Sequence, residues 1–223
     1  MAFLKHIAAR LPKTWQLELK RLRYRRQILR NEFATDEPEY DLLPQLVSPG
    51  DWVVDVGANV GHYTKRLSEL VGPQGRVLAF EPTPATFSLL AANARWFAHP
   101  NVSLFNAAVS DKTDLVGMAI PDFATGLTNY YEAHLAPAAD SAFSVLTLSL
   151  DALGLDRRIA LVKIDAEDHE AFVLAGMRDL IAKHRPTLIV ETGSAEVVAG
   201  LAALGYAPEK LPGSPNYLFR TNR

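Results

Sequence analysis

The chain has 223 residues, 48% hydrophobic and 22% charged, enough for one globular domain with a real core and too little for two full domains. It has no cysteine, which excludes disulfides, thiolate metal sites and cysteine nucleophiles, and it has no run of eighteen apolar residues that would span a membrane. The net charge of −2 hides an asymmetry: residues 1–30 carry nine bases against one acid, and the rest of the chain carries 14 bases against 24 acids, a balance of −10.

In chain order, Leu4, Ile7, Ala8 and Leu11 recur at helical spacing until Pro12 interrupts them. Trp15, Leu19, Leu22 and Arg26 continue a second helical stripe to about Asn31. Residues 1–45 therefore read as a basic N-terminal helical arm. It reads either as a helix docked on the acidic body, covering its acceptor side, or as a peripheral contact with an anionic surface, membrane or nucleic acid. The N-terminus lacks a long apolar core, so no cleaved secretory signal is expected and the location reads as cytoplasmic. A connector with three prolines, 35–49, holds a short helix at 40–46.

From Asp51 strands and helices alternate. Strands are expected at 52–56, 77–80, 102–105, 159–164, 187–190 and 217–219, and helices at 61–70, 86–97, 169–183 and 195–204. Such alternation implies parallel βαβ units with helices on both faces of the sheet. Residues 46–223 form this α/β domain, and ligands are expected at the carboxyl ends of its strands. The stretch 110–150 breaks the pattern: 115–120 and 143–148 look like two short strands, and 121–142 between them is a candidate lid or binding insertion.

The stretch "VVDVGANVGHYT", 53–64, sets an acid and two glycines between a strand and a helix. A dinucleotide fingerprint needs G-x-G-x-x-G, and a phosphate-cradling loop needs a Gly-Lys-Ser/Thr ending; neither is present. Asp55 would repel a pyrophosphate but welcome an ammonium or sulfonium cation. Gly57 and Gly61, with Asn59 between them, let the backbone approach a ligand, and the helix N-terminus offers N–H groups to a carboxylate. S-adenosylmethionine carries all three of those groups. Twenty residues on, "AFEPTP" places Glu81 and Pro82 at the end of the second strand, where an acid accepts two hydrogen bonds from a ribose diol; taken alone, Glu81 also reads as a capping or surface acid. "NAAVSD" follows the third strand, and small residues at Asn106 and Ala107 leave room for adenine.

These blocks, with "FEPTPATFSLLAAN", "LSLDAL", "LVKIDAEDHEAFVLAGM" and "RPTLIVE", resemble the FkbM family of S-adenosylmethionine-dependent methyltransferases in the family's own order, over roughly 49–191. The resemblance implies a Rossmann-like class I methyltransferase fold: a mostly parallel seven-stranded sheet whose last strand pairs antiparallel. It also implies O-methylation of a hydroxyl on a sugar, glycan or secondary metabolite. One position departs. Asp168 stands where the family has glycine, and Asp tolerates a left-handed backbone less well than Gly does.

In "KIDAEDHE", Lys163, Asp165 and Glu167 share a face if the strand continues. His169 is the expected general base, since its ordinary pKa lies near neutrality and the acceptor hydroxyl must lose a proton. Glu167 or Glu170 is expected to orient the ring, and Asp165 to bind the cofactor's ammonium or the acceptor. The same residues also read as a helix cap with ion pairs, Asp168 being a credible N-cap. A carboxylate–histidine set could also ligate a hard divalent ion, but no spacing here is diagnostic, and no metal is assigned. Glu191 reads equally as an acceptor contact or a surface acid, and His62 as a solvated helix residue. Tyr130, Tyr131 and His134 either line an acceptor pocket or pack the insertion on the body. The rival functions are an RNA or protein methyltransferase and a non-catalytic cofactor-binding protein. Acids at the fourth strand's end argue against a polyanionic acceptor, so nucleic acid is not the expected partner.

Overall fold

The structure, a computed structural model, describes residues 12–120, 133–136, 141 and 143–221. Seven strands make the main sheet: β1 (Trp52–Val56), β2 (Arg76–Phe80), β3 (Val102–Phe105), β8 (Ile159–Ile164), β9 (Thr187–Glu191), β10 (Tyr206–Lys210) and β11 (Asn216–Thr221). Their order is β10-β11-β9-β8-β1-β2-β3, and β11 alone runs against the direction of the other six. The chain builds outward from β1 to β3, then returns beside β1 as β8 and builds the other way. The C-terminal ends of β1 and β8 are thus the switch point, where the loops diverge and leave a crevice.

Central parallel strands are buried on both faces and so read as unbroken apolar runs. β8 is buried at all six positions. Side chains alternate between two packed layers. Val54, Val56, Val162 and Ile164 join Val173, Met177, Leu180 and Ile181 on one face. Val53 and Leu161 join Tyr63, Leu67 and Val71 on the other, where α3 (His62–Val71) lies with α2 (Pro38–Leu46). Tyr40 and Leu43 bury α2 in that layer, and Glu39 is fully buried against the Asn216 amide.

Strands β4 (Ala108–Val109), β5 (Asp114–Ala119), β6 (His134–Ala136) and β7 (Phe143–Leu148) form a second sheet in the order β4-β7-β5-β6. The sequence showed β5 and β7 but neither β4 nor β6, which are two and three residues long and carry no readable alternation. Strand β10 was also missed. Its sequence, YAPEK, holds a proline and two charges and is exposed beyond Tyr206, as suits a sheet edge.

The helix expected over 169–183 is two: α5 (Glu170–Ala175) and α6 (Arg178–His184). Gly176 makes the break. A Cβ there would sit 1.9 Å from the Ser110 carbonyl oxygen, so only glycine lets the two segments meet. Helix α4 (Pro84–Ala94) follows β2 and starts on Pro84, and α7 (Ala195–Ala203) is capped by Ser194, whose hydroxyl accepts the Val197 N–H at 3.2 Å.

Helix α1 (Lys13–Leu29) starts directly after Pro12 and packs on α4. Its docked side is Leu17, Tyr24 and Ile28, which meet Val60, Leu89 and Phe97. The stripe read from the sequence lies on the opposite, exposed side. Periodicity had found a face but not its direction.

Candidate active site

At the switch point lies an open cleft, lined by the ends of β1, β2 and β8, the 107–109 segment, Met118, His134 and Leu135 of the second sheet, and Ala133 just before β6. Gly57, Asn59, Glu81, Pro82, Ala107, Asp165, Glu167 and His169 all line it. Among the expected site residues, Asp55, Gly61 and Asn106 do not.

Asp55 is the sharpest departure. It is fully buried on β1, facing α3. The Thr64 hydroxyl donates to its Oδ2 at 2.6 Å, its other oxygen has no partner among the described residues, and Lys163 is its register partner on β8. Burial raises the Asp55 pKa, while Lys163 and Thr64 oppose that rise. The Lys163 ammonium donates to Asp165 Oδ2 at 2.9 Å and lies 4.7 Å from the centre of the Tyr63 ring. Burial depresses the Lys163 pKa, but Asp165 and Asp55 outweigh it and hold the lysine charged. A buried cation between two acids thus anchors the site from below. Asp55 bonds Thr64 and feels the charge of that lysine, and it does not line the cleft.

The glycines also serve packing. A Cβ on Gly57, where φ is +74°, would lie 1.9 Å from the Asp165 carbonyl oxygen, so this residue lets the ends of β1 and β8 close together. The N–H groups of Gly57 and Ala58 both donate to the Phe80 carbonyl, at 3.0 and 2.9 Å. Gly61, in a left-handed conformation, starts α3 away from the cleft.

Glu81 is held by the backbone. Asn59 N–H donates to its Oε2 at 3.0 Å and Thr83 N–H to its Oε1 at 2.8 Å. An ionised carboxylate has about four acceptor positions, so each oxygen keeps one for a ligand hydroxyl. Burial pushes the Glu81 pKa up to about 7, against hydrogen bonding from the Thr83 backbone and side chain and the Asn59 backbone, and with help from the Asp165 charge. Asn106 acts from behind, donating its amide to the carbonyls of Glu81 and Pro82 at 2.9 and 3.0 Å. Beside it, Ala107, Ala108, Val109, Met118 and Leu135 give the cleft an apolar wall.

Strand β8 ends at Ile164, so Lys163, Asp165 and Glu167 are not three positions of one strand. Glu167 and Asp168 both adopt left-handed φ, 49° and 68°. The glycine-type turn is therefore kept with an exposed Asp in it. His169, not Asp168, occupies the N-cap position of α5, and Glu170 reaches back to accept the Ala166 N–H at 3.2 Å. Asp168→Gly is expected to raise stability by about 0.5–1 kcal/mol, since left-handed backbone costs a non-glycine residue about that much after the entropy of the unfolded glycine is subtracted. A urea midpoint shifted upward at constant slope would show it; a lower midpoint would mean the Asp168 carboxylate makes a compensating contact.

The His169 ring is placed by residues the sequence reading did not assign to it. Its Nε2 is 2.9 Å from the Ser110 hydroxyl, which donates to Asp111 Oδ1 at 3.1 Å, and its face stacks on Phe172 at 4.6 Å. Glu170 is engaged with Ala166. "NAAVSD" contained Ser110, but nothing in the sequence joins positions 110 and 169. Burial lowers the His169 pKa and Asp111 partly restores it. Glu191, at the end of β9, is pushed up to about 7 by burial and then by the Asp165 charge, with Lys163 opposing. His62 stacks on Phe33 at 4.2 Å instead of facing solvent. Tyr130 and Tyr131 lie outside the described residues. Among the described residues, no group of three or more metal-ligating side chains occurs, and no helix is long and apolar enough to cross a membrane.

A family model described as the Methyltransferase FkbM domain matches residues 55–206. The curated 31-O-demethyl-FK506 methyltransferase FkbM of Streptomyces tacrolimicus is 35% identical, over 59% of this chain and 61% of its own length. The chain thus spans less than two thirds of that relative. Methyltransferase FkbM from Methylobacillus flagellatus KT superposes with a TM-score of 0.58 at 18% identity, covering 78% of this chain and 44% of that one. A Geobacter sulfurreducens methyltransferase superposes at 0.51 with 16% identity, over 99% and 94%. At such identities the two structures show a shared fold, that of the class I S-adenosylmethionine methyltransferases. Matched by the family model over more than half its length, the chain belongs to the FkbM methyltransferase family.

Proposed function

We propose that the protein is an S-adenosylmethionine-dependent O-methyltransferase whose acceptor is a hydroxyl of a small molecule, a sugar, glycan or secondary metabolite. One observation carries this reading: a single cleft joins the backbone-held carboxylate of Glu81 to a half-buried histidine with a lowered pKa. The residues fit the cofactor. Glu81 keeps two acceptor positions for a ribose diol, the 107–109 wall suits a flat base, and Asp165, half-exposed at the cleft with one oxygen tied to Lys163, suits an ammonium. Bound there, S-adenosylmethionine supplies an electrophilic methyl group on a sulfonium.

The rest falls to this chain. The Ser110 hydroxyl lies within hydrogen-bond distance of both Asp111 Oδ1 and His169 Nε2; in the proposed tautomer its proton goes to Asp111, Nε2–H donates to the Ser110 oxygen, and Nδ1 keeps the lone pair. That nitrogen takes the acceptor hydroxyl's proton as the new bond to carbon forms. Positioning of the acceptor between the cleft walls supplies much of the remaining rate. That the curated relative is a 31-O-demethyl-FK506 methyltransferase supports the hydroxyl reading.

The test is transfer of labelled methyl from S-adenosylmethionine to separate pools of glycans and hydroxylated small molecules, RNA, and protein. Alkali-stable label on a hydroxyl in the first pool supports the proposal. Label on RNA or protein replaces it with the rival acceptor, and cofactor binding without transfer to any pool would favour a non-catalytic protein.

A further inference from the structure

We propose that the outer face of α1 is a docking surface for an anionic lipid bilayer. The helix is apolar on two opposite sides, which one docking partner cannot explain. Leu17, Tyr24 and Ile28 are spent on the body. On the far side Trp15, Leu22 and Leu29 are 65%, 63% and 62% exposed, with Leu19 beside them at 47%. At spacings of four, seven and fourteen from Trp15 these residues form one stripe along a helix about 25 Å long.

Charge identifies the occupant. Arg26 falls within the stripe and Arg23 and Arg30 along one edge of it, and none has a carboxylate partner among the described residues. Arg25 flanks the other edge and stacks at 4.1 Å on Trp96, itself exposed. The one acid of the first thirty residues, Glu18, is taken by Arg21. Apolar residues at the centre with cations at both edges match a headgroup–acyl boundary, where leucine and tryptophan enter the acyl region and arginines meet lipid phosphates. A nucleic acid would meet the arginines but leave the leucines and Trp15 in water. A second copy fits less well. The large apolar groove between α5, α6 and α7 carries Arg178 and Arg185 against one acid, Glu196, and so repels a basic helix.

The inference does not rest on the methyl-transfer reading. The test is co-sedimentation of the full chain with vesicles of phosphatidylcholine alone or with about 30 mol% phosphatidylglycerol. Partitioning onto the anionic vesicles is expected to be at least about tenfold stronger and to weaken at about 0.5 M salt. Leu19→Glu with Leu22→Glu should reduce it about tenfold or more, and Arg23→Glu, Arg26→Glu and Arg30→Glu together should erase the preference for anionic lipid. All five side chains are exposed, so unchanged melting and cofactor titration serve as the folding control. The proposal is overturned if the folded protein ignores anionic vesicles, or if neither variant changes the partitioning. It is equally overturned if the leucine variant dissociates a dimer, or if the arm binds RNA in place of lipid.

Discussion

Replacing His169 by alanine is expected to lower the rate of methyl transfer by about 10²–10⁴-fold while S-adenosylmethionine affinity changes by less than about twofold. The ring lines the same cleft as Glu81 and is not among the groups proposed to hold the cofactor. The pH dependence follows from the sign of the shift. Burial lowers the histidine's pKa below its ordinary value, so the ring is neutral and able to accept a proton throughout the physiological range. The rate should rise with pH through the histidine's titration, with the midpoint of that rise on the acid side of an ordinary histidine's. Ser110→Ala should cost less than His169→Ala, because it frees the ring without removing the base; it should also move the acidic limb of the profile. A fall of less than threefold in His169→Ala with the acidic limb intact would make the residue structural and leave positioning by Asp165 and Glu167, which line the same cleft, as the source of the rate.

The centre of the main sheet was legible because parallel strands buried on both faces must be apolar runs, as at β1, β2, β8 and β9; the half-buried edge strand β3 and the antiparallel β11 were found as short apolar stretches. What the sequence hid is physical in each case. YAPEK in β10 satisfies its hydrogen bonds on one side only and needs no apolar face. The broken helix after β8 keeps its apolar period through Gly176, so the interruption is set by a distant carbonyl, that of Ser110. Helix α1 carries apolar residues on both sides, and the more regular stripe, Trp15, Leu19, Leu22 and Leu29, faces outward. At the site, residue types announced Glu81 and His169, but direction decided Asp55. On a strand buried on both faces, an acid between Val54 and Val56 gives no sign of whether it points to the cleft or beneath it. Its register partner Lys163, on an adjacent strand over a hundred residues away, supplies the reason it points beneath.

The second large effect is expected at Glu81. Glu81→Ala should weaken S-adenosylmethionine binding by about 1–3 kcal/mol, the cost of losing a charge-assisted acceptor for the ribose hydroxyls. Glu81→Gln separates this contact from the cost of keeping it. The folded-state pKa is about 7 and the ordinary value 4.5, so the folded protein holds a proton that the unfolded chain has released across that window. The contribution to stability is therefore full below pH 4.5 and is lost as pH rises through about 7. At pH 8 the buried, ionised carboxylate destabilises the cofactor-free protein, and the uncharged glutamine should raise its melting temperature even as cofactor affinity falls. Cofactor affinity in the parent protein should move the opposite way with pH, weakening as pH drops below about 7 and Glu81 is protonated. Calorimetric titrations at pH 6 and 8, paired with melting curves of the cofactor-free protein, read both trends. Glu81 belongs outside the site if the glutamine variant binds as tightly as the parent at pH 8. A lower melting temperature at that pH would instead mean that the Asn59 and Thr83 hydrogen bonds to the carboxylate outweigh its burial.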